Sequence, residues 1–345
     1  MKIITTAEEF HVEDLFLDLS DVVGQELFLK CEGFNFAGSI KLKPAIEMIT
    51  ALEREGRLDS GSVLVESTSG NLGVALAVVA AARGYSLVCV MDCNSNRATR
   101  KVIEALGASV IVVDIPDPVT GWLGARFNQV RDLCEQDERC VWLNQHANRF
   151  NWMSHYSTTA PGVERCFPDL DVLFVGVGTS GTVMGCGRYF KERSPGVTIV
   201  AVDAVGSTTF GGESGPRLIP GLGASVRPPL LDDGYLDDVV HVEEAATIAA
   251  CRSLAARGFL FGGSTGTVVA GAQAWLQLHG WPGLRCVAIA PDLGDRYVET
   301  IYDDAWVGAH FGALAETEPT GHSAAIATLV PSLATRELGR VGRAA

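Results

Sequence analysis

The chain has 345 residues, of which 47% are hydrophobic and 20% charged, and its formal net charge is −14. This length and apolar content predict about two folding units with a large buried core and exclude a disordered chain. The excess of negative charge repels nucleic acids and anionic membranes, so neither is expected as a partner.

Apolar runs typical of β-strands alternate with helix-like segments along most of the chain. In chain order, we predict strand 62–65, helix 71–83, strand 86–91, helix 98–106, strand 109–113, strand 172–175, helix 182–192, strand 198–202, helices 243–257 and 267–279, and strand 286–290. Val- and Ile-rich strands separated by helices indicate parallel sheets that are buried on both faces. Two such series, before and after about residue 147, predict an α/β fold of two lobes with a cleft between them. Residues 204–240, rich in Gly, Pro and Asp, predict an irregular segment.

The cysteine content and the hydropathy of the chain indicate the cellular compartment of the protein. The nine cysteines are odd in number and include no C-x-x-C pair, which disfavours a disulfide framework or a zinc site, so no metal is expected. The N-terminus carries acidic residues where a signal peptide needs an apolar run. The longest apolar stretch, Leu72 to Ala82, is too short to cross a membrane. We therefore expect a soluble cytoplasmic protein with reduced thiols.

A glycine-rich loop at 176–182 follows a predicted strand and precedes a predicted helix. Its G-x-G-x-x-G spacing, with Asp203 at the end of the next strand, fits a dinucleotide fingerprint. The hydroxyls of Thr179, Ser180 and Thr182 instead suit a cup for one phosphate group at a helix N-terminus. A plain strand-to-helix turn is the third interpretation, and the hydroxyl content favours the lone phosphate.

Two further loops are also glycine-containing, carry hydroxyl side chains and precede a predicted helix. The segment Thr68-Ser69-Gly70-Asn71 offers amides and hydroxyls before a helix, which suits either a bound carboxylate or a helix N-cap. Residues 262–266, Gly-Gly-Ser-Thr-Gly, also enter a helix. Because ligands of open α/β sheets bind outside the carboxyl ends of strands, these loops are expected to surround one cleft.

Lys41 follows a glycine–serine turn in a segment that is otherwise apolar. A lysine removed from water has a lowered pKa and can act as a Schiff-base nucleophile or as a general base. A solvated surface charge is the alternative, and it is the interpretation we adopt for Lys30 and Lys43.

In combination, these motifs resemble the fold-type II pyridoxal-phosphate enzymes of the cysteine synthase family, over about residues 12–305. The resemblance implies pyridoxal 5'-phosphate as the cofactor, with Lys41 as its Schiff-base lysine and as the catalytic base. Substrate binding is then expected from Thr68, Ser69 and Gly70, which would hold a carboxylate. Cofactor binding is expected from Asn71 at the ring oxygen, from Gly178, Thr179, Ser180, Gly181 and Thr182 at the phosphate, and from Ser264 at the pyridine nitrogen.

The closer resemblance is to one branch, the N-(2-amino-2-carboxyethyl)-L-glutamate synthases of siderophore and antibiotic pathways. The matching segments are KCEGFN (30–35), GSIKLK (38–43), ESTSGNLG (66–73), GWLGAR (121–126), NQHAN (144–148), VDAVGS (202–207), RLIPGLGAS (217–225) and PDLGDRYVETIY (291–302). The branch implies β-replacement on O-phospho-L-serine by L-glutamate, through an aminoacrylate intermediate, with release of phosphate. Arg126 would bind the anionic substrate, which suits an acidic protein. The alternative is a cysteine-synthase-type reaction on O-acetylserine or O-phosphoserine, with sulfide or another amine as nucleophile.

Two residues depart from the family pattern. Leu72 stands where cysteine synthases carry Thr, which disfavours a plain cysteine synthase. His146 stands where the branch usually has Tyr. It could contact the second substrate or assist proton transfer, or it could simply fill an aromatic slot.

The resemblance also implies the organisation of the chain. A larger cofactor-binding lobe is expected from residues 1–43 and 148–315, a smaller mobile substrate lobe from 44–147, and a C-terminal tail from 316–345. A homodimer acting on small amino-acid substrates is expected. The competing classes are a nucleotide-dependent oxidoreductase, which leaves Lys41 and the 68–71 loop unexplained, and a non-catalytic homologue, against which the complete set of loops argues.

Overall fold

Two β-sheets organise the chain in the computed structural model, which describes residues 3–68, 70–312 and 327–328. The strands are β1 (Phe16–Asp18), β2 (Leu27–Cys31), β3 (Val63–Ser67), β4 (Ser86–Asp92), β5 (Ser109–Val113), β6 (Cys140–Trp142), β7 (Val172–Gly176), β8 (Thr198–Ala204), β9 (Asp238–Val242), β10 (Cys286–Ala290) and β11 (Ala327–Thr328). The α-helices are α1 (Ser20–Val23), α2 (Leu42–Arg54), α3 (Asn71–Arg83), α4 (Arg97–Ala105), α5 (Gly121–Gln136), α6 (Arg149–Ser157), α7 (Thr159–Cys166), α8 (Gly181–Arg193), α9 (Glu244–Ala255), α10 (Gly263–His279) and α11 (Asp304–Phe311).

The larger sheet has the strand order β1-β2-β10-β7-β8-β9-β11, and the smaller sheet has the order β5-β4-β3-β6. The strands from β2 to β9 in that order are parallel, with β1 and β11 antiparallel at the edges. All pairings in the smaller sheet are parallel. The predicted α/β class with largely parallel sheets flanked by helices is confirmed.

Strand β7 shows why helices must cover both faces of the larger sheet. Val172 and Phe174 pack in the core on one face, whereas Leu173 and Val175 pack in the core on the other. Successive side chains of a strand point to opposite faces, so an unbroken apolar run needs a hydrophobic layer on each side.

Helix α3 lies in the core of the smaller sheet. Its residues from Leu72 to Ala80 are all buried, as expected for a helix that is apolar on every side. Gly84 ends the helix in the left-handed conformation, with φ of +77°, and its N–H bonds to the carbonyl of Ala80. These bounds match the predicted helix 71–83.

The strands of the smaller sheet all lie between residues 63 and 142, and those of the larger sheet lie outside that range. The chain passes from the larger to the smaller sheet through α2 and returns through α6. The lobe boundaries at 43/44 and 147/148, and the motion of the smaller lobe, remain a prediction.

Some elements differ from the sequence prediction. Helix α10 begins at Gly263, four residues before the predicted start at 267. An ideal Cβ on Gly266 would lie 2.3 Å from Sγ of Cys251, so the glycines that suggested a loop instead allow α9 and α10 to pack closely. Helix α5 and strand β2 were not predicted, and β9 begins inside the segment predicted to be irregular.

The predicted tail, residues 316–345, lies outside the described residues except for 327–328. Within the described part of the chain, no helix combines the length and apolar character that a membrane crossing requires.

Candidate active site

Lys41 stands immediately before α2, where two loops of the larger lobe are joined by backbone hydrogen bonds. The N–H of Ile40 donates to the carbonyl of Pro291 at 2.7 Å, and the N–H of Leu293 donates to the carbonyl of Gly38 at 3.2 Å. Burial lowers the pKa of Lys41, and the negative charge of Asp292 partly opposes that shift. The position therefore favours the neutral, nucleophilic amine more than an ordinary lysine site does.

Asn71, the first residue of α3, links the substrate loop (residues 68–71) to the loop after β10. Its Nδ2 donates to Oδ2 of Asp292 at 2.9 Å, and its Oδ1 accepts from Nη1 of Arg296. The hydroxyl of Tyr297 donates to the same oxygen of Asp292 at 2.6 Å. An amide carries two N–H donors, so one of them remains available to another acceptor.

Asp292 is a buried site residue that the sequence analysis missed. Its Oδ1 has no hydrogen-bond partner among the described residues. Burial raises the pKa of its carboxyl group, which Tyr297 and Asn71 oppose by hydrogen bonding. This buried oxygen is therefore available to accept a hydrogen bond from a group bound at the site. Its only signal in the sequence was its place in the 291–302 segment, which we had quoted for the family resemblance.

The substrate loop shows the capping property that the sequence offered, and carboxylate binding by this loop stays a prediction. The hydroxyl oxygen of Thr68 accepts hydrogen bonds from the N–H of Gly73 at 3.1 Å and of Gly70 at 3.4 Å, so Thr68 satisfies amides at the start of α3. Its hydroxyl proton is still able to serve a carboxylate. Ser69, the remaining predicted substrate ligand of this loop, lies outside the described residues.

The phosphate loop (residues 178–182) leads into α8, whose N-terminus has no side-chain cap. Ser180, at the N-cap, adopts the left-handed conformation with φ of +66°, makes no side-chain cap, and has no acidic residue after it in the first turn. Nδ2 of Asn151 donates to the hydroxyl oxygen of Thr179 at 3.0 Å. An ideal Cβ on Gly178 would lie 2.8 Å from the carbonyl oxygen of Gly221, so that position needs glycine, and one on Gly181 would displace the Asn151 amide, whose Oδ1 would be 2.0 Å away. A helix N-terminus of this kind binds phosphate.

Ser264 lies in the first turn of α10 and is buried. An ideal Cβ on Gly221 would lie 2.2 Å from its Oγ, so the 217–225 segment packs directly on this hydroxyl and on the phosphate loop. A neutral hydroxyl here suits a pyridine nitrogen that is not kept protonated.

Arg126 and His146 lie beside the smaller sheet. Arg126 forms an ion pair through Nη1 with Asp92, a partner that the sequence analysis did not identify, and its Nε donates to Oγ of Ser67 at 3.2 Å. The ring of His146 packs edge-on against Phe127, with centroids 5.3 Å apart. Burial and the positive charge of Arg126 lower the pKa of His146 to about 4, so its imidazole is neutral near pH 7.

Direct contacts connect the phosphate loop to Arg126. Nδ2 of Asn151 bonds both Thr179 and the carbonyl oxygen of Gln145, the latter at 2.8 Å. Nε2 of Gln145 donates to the carbonyl of Ser67 at 3.1 Å, and Ser67 in turn accepts from Arg126. Of the predicted site residues that the structure describes, the phosphate loop and Arg126 thus share one network. Asn71 bonds to Asp292, and the charge of Asp292 acts on Lys41.

The prediction that Lys30 and Lys43 are surface charges is wrong. Their side chains are 0% and 9% exposed. Nζ of Lys43 lies 2.7 Å from Glu32 and 3.0 Å from Glu13, and Nζ of Lys30 lies 3.1 Å from Glu32. Carboxylates from distant parts of the chain compensate the buried ammonium groups, and sequence alone does not reveal such pairing.

These features fit a bound pyridoxal phosphate. The uncapped start of α8 would hold the phosphate, Ser264 would face the ring nitrogen, and Lys41 provides an amine of lowered pKa. The family model of the pyridoxal-phosphate dependent enzymes matches residues 16–292, and the chain belongs to that family, with pyridoxal 5'-phosphate as its cofactor. This membership replaces the dinucleotide interpretation of the 176–182 loop.

The chain is also similar to individual proteins over most of its length. The N-(2-amino-2-carboxyethyl)-L-glutamate synthase of Ralstonia nicotianae is 38% identical over 315 residues, which cover 89% of this chain and 91% of that protein. The protein of the same name from Cupriavidus metallidurans is 37% identical over 313 residues, with the same coverage of 89% and 91%. Among solved structures, the O-acetylserine dependent cystathionine beta-synthase from Helicobacter pylori matches with a TM-score of 0.81 and 28% identity, covering 88% of this chain and all of that one.

Proposed function

We propose that this protein joins O-phospho-L-serine and L-glutamate to give N-(2-amino-2-carboxyethyl)-L-glutamate and phosphate. In this β-replacement the Cβ–O bond of phosphoserine breaks and a bond from Cβ to the amine nitrogen of glutamate forms. The observation that carries the proposal is the similarity, at 38% identity over 89% of the chain, to a protein named for making this product. The contact of Arg126 with Ser67, the residue just before the substrate loop, supports it, since a guanidinium group binds phosphoryl or carboxylate groups well.

Lys41 is the proposed catalytic residue. When bound, pyridoxal phosphate supplies an electron sink for the bonding pair left at the substrate α-carbon. The neutral amine of Lys41 accepts the α-proton, and the adjacent carboxylate of Asp292 stabilises the ammonium group that results. Asp292 is buried, so its attraction for this ammonium group is stronger than it would be in water.

Two further groups of residues orient the substrates in this proposal. The amides and hydroxyls of Thr68, Ser69 and Gly70 hold the α-carboxylate at the start of α3. Arg126 holds the phosphoryl group of the donor or the side-chain carboxylate of the acceptor, using the Nη2 donors that its bonds to Asp92 and Ser67 leave over. Closure of the smaller lobe, residues 44–147, then excludes water from the reacting atoms.

The same proposal includes the assembly, location and biosynthetic role of the enzyme. We infer a cytoplasmic homodimer that supplies 2,3-diaminopropionate precursors for a siderophore or peptide antibiotic. The family resemblance supports this assembly and role. Gel filtration with light scattering tests the dimer, and loss of the downstream metabolite on gene deletion tests the role.

A second candidate is β-replacement on O-acetylserine. Asp92 offsets the charge of Arg126, and a neutral acetyl ester places no demand on that guanidinium. The matching Helicobacter pylori structure is described as O-acetylserine dependent.

The two candidates differ in the donor that reacts. Adding O-phospho-L-serine to the holoenzyme should change its visible cofactor absorption and release phosphate, and L-glutamate should then restore the spectrum and yield the coupled product by mass spectrometry. The Lys41→Ala variant, which lacks the base, should release no phosphate and yield no coupled product. A spectrum that responds to O-acetyl-L-serine but not to phosphoserine would reject the first candidate in favour of the second.

A further inference from the structure

A chain of hydrogen bonds runs from Lys43 to the phosphate loop through the protein interior. Nζ of Lys43 donates to Oγ1 of Thr159 at 3.1 Å. Oγ1 of Thr159 lies 3.1 Å from Nδ1 of His155, and Nε2 of His155 lies 3.3 Å from Oγ1 of Thr182. Thr159 and His155 are fully buried, and Thr182 is the last residue of the phosphate loop.

The chemistry of Lys43 sets the direction of the first bond in this series. An ammonium group can only donate, so the hydroxyl oxygen of Thr159 accepts from Lys43, and the hydroxyl proton of Thr159 is available to Nδ1 of His155. His155 then carries its proton on Nε2 and donates to the oxygen of Thr182. The hydroxyl proton of Thr182 is thereby left for another acceptor.

The charges around these hydrogen bonds maintain the donor direction from Lys43 towards Thr182. Burial opposes the charge of Lys43, but Glu32 and Glu13 attract it and raise its pKa overall, so it stays protonated. Burial, with the positive charges of Lys41 and Lys43, lowers the pKa of His155 well below its usual value, so its ring is neutral. A neutral ring accepts at one nitrogen and donates at the other, so His155 can accept from Thr159 and donate to Thr182.

Close packing of α6 on α8 brings His155 to the phosphate loop. An ideal Cβ on Gly185 would lie 2.6 Å from Cβ of His155 and 2.4 Å from the carbonyl oxygen of Trp152. Glycine at this position therefore lets α6 approach α8 closely enough for an imidazole to reach Thr182.

We propose that Lys43, Thr159 and His155 are positioning residues that orient the Thr182 hydroxyl as a donor to the cofactor phosphate. The group that Thr182 would bind is the phosphate of the cofactor, a monoester dianion that only accepts hydrogen bonds. The charge of Lys43 reaches it through a buried hydrogen-bond chain rather than by contact. This inference does not depend on which amino acids the enzyme couples, so its failure would leave the proposed function untouched.

The test compares two forms of the cofactor, one with the phosphate and one without. Apoenzyme variants are titrated with pyridoxal 5'-phosphate and with pyridoxal, and the dissociation constants are measured by absorption and fluorescence. In Thr159→Val, which cannot pass on the hydrogen bond, affinity for pyridoxal phosphate should fall about tenfold, as expected for one bond to a charged group. Affinity for pyridoxal should not change. The matched control is Thr158→Val, whose hydroxyl donates to Ser154 instead.

Variants of His155 separate the hydrogen bond from packing. His155→Gln keeps an acceptor and a donor and should retain most of the affinity, whereas His155→Leu should lose it as Thr159→Val does. The ³¹P resonance of the bound cofactor should move in Thr159→Val and His155→Leu but not in Thr158→Val. Circular dichroism of each apoenzyme checks the fold, and if the leucine variant does not fold, Thr159→Val and His155→Gln carry the test. Equal losses for pyridoxal and pyridoxal phosphate, or an unchanged affinity in folded Thr159→Val, would overturn the proposal.

Discussion

Nδ2 of Asn71 donates to Oδ2 of Asp292 at 2.9 Å, and this bond connects the first residue of α3 to the loop after β10. It joins the smaller sheet to the larger one beside the reactive lysine. Because Tyr297 bonds the same oxygen, the other oxygen of Asp292 is left for a different partner. Asp292 therefore connects the two sheets and also acts electrostatically on Lys41.

Replacing Asp292 by Asn should lower the pKa of Lys41, since the carboxylate is the charge that raises it. A Schiff base forms only with the neutral amine, so the pH midpoint for cofactor attachment to the apoenzyme should fall, by about one unit. The measurement is the visible absorption of reconstituted enzyme against pH. The control is Asp295→Asn, which removes an exposed carboxylate three residues away. A midpoint that stays constant or rises would contradict this role.

Arg126 and Asp92 should have opposite effects on the phosphorylated donor. Arg126→Met should raise the KM for O-phospho-L-serine about a hundredfold, as expected for loss of a charge-assisted contact. Asp92→Asn should lower that KM, because it frees the guanidinium from its ion pair. Steady-state kinetics with O-acetyl-L-serine provide the comparison, since a neutral ester should respond far less. If both donors lost affinity equally, Arg126 would have a structural role only.

His146 should not contribute a titration to the activity between pH 6 and 8. Burial and Arg126 lower its pKa to about 4, so the ring is already neutral throughout that range. The pH profile of kcat/KM for His146→Phe should therefore have the same shape as that of the wild type, with a change confined to the KM for the second substrate. An acid limb near pH 6.5 that disappears in the variant would instead make His146 a proton-transfer group.

Glu66 should make the wild-type protein less stable as the pH rises. Burial raises its folded-state pKa from 4.5 to about 8, although its carboxylate accepts hydrogen bonds from the N–H groups of Ser67 and Gln145. The folded state thus holds the proton more tightly than the unfolded state, and this contribution to stability, present below about pH 4.5, is lost towards pH 8.

Urea unfolding at pH 5 and pH 8 measures the effect. The loss is on the order of 1.4 kcal/mol for each unit of pKa difference, and Glu66→Gln should remove most of that slope. Glu47→Gln, the same substitution in helix α2, serves as the control, and its slope should match the wild type. Parallel slopes for all three proteins would show that Glu66 is ionised in the folded state.

The bounds of several elements followed directly from the sequence. Helix α3 and strands β5 and β10 occupy the predicted residues, because an unbroken apolar run with a breaker at each end has few ways to be buried. The start of α10 did not follow, because glycines used for close packing look the same in sequence as glycines used for a turn.

The sequence by itself determined the α/β class and the pyridoxal-phosphate family, since these depend on local chemistry and on the spacing of motifs along the chain. Tertiary structure alone decided which charges meet. The pairing of Asp92 with Arg126, the place of Asp292 beside Lys41 and the burial of Lys30 and Lys43 with Glu32 join residues from separate segments. A buried charge is stable only when a partner from elsewhere in the fold reaches it, so its environment exists only once the sheets have assembled.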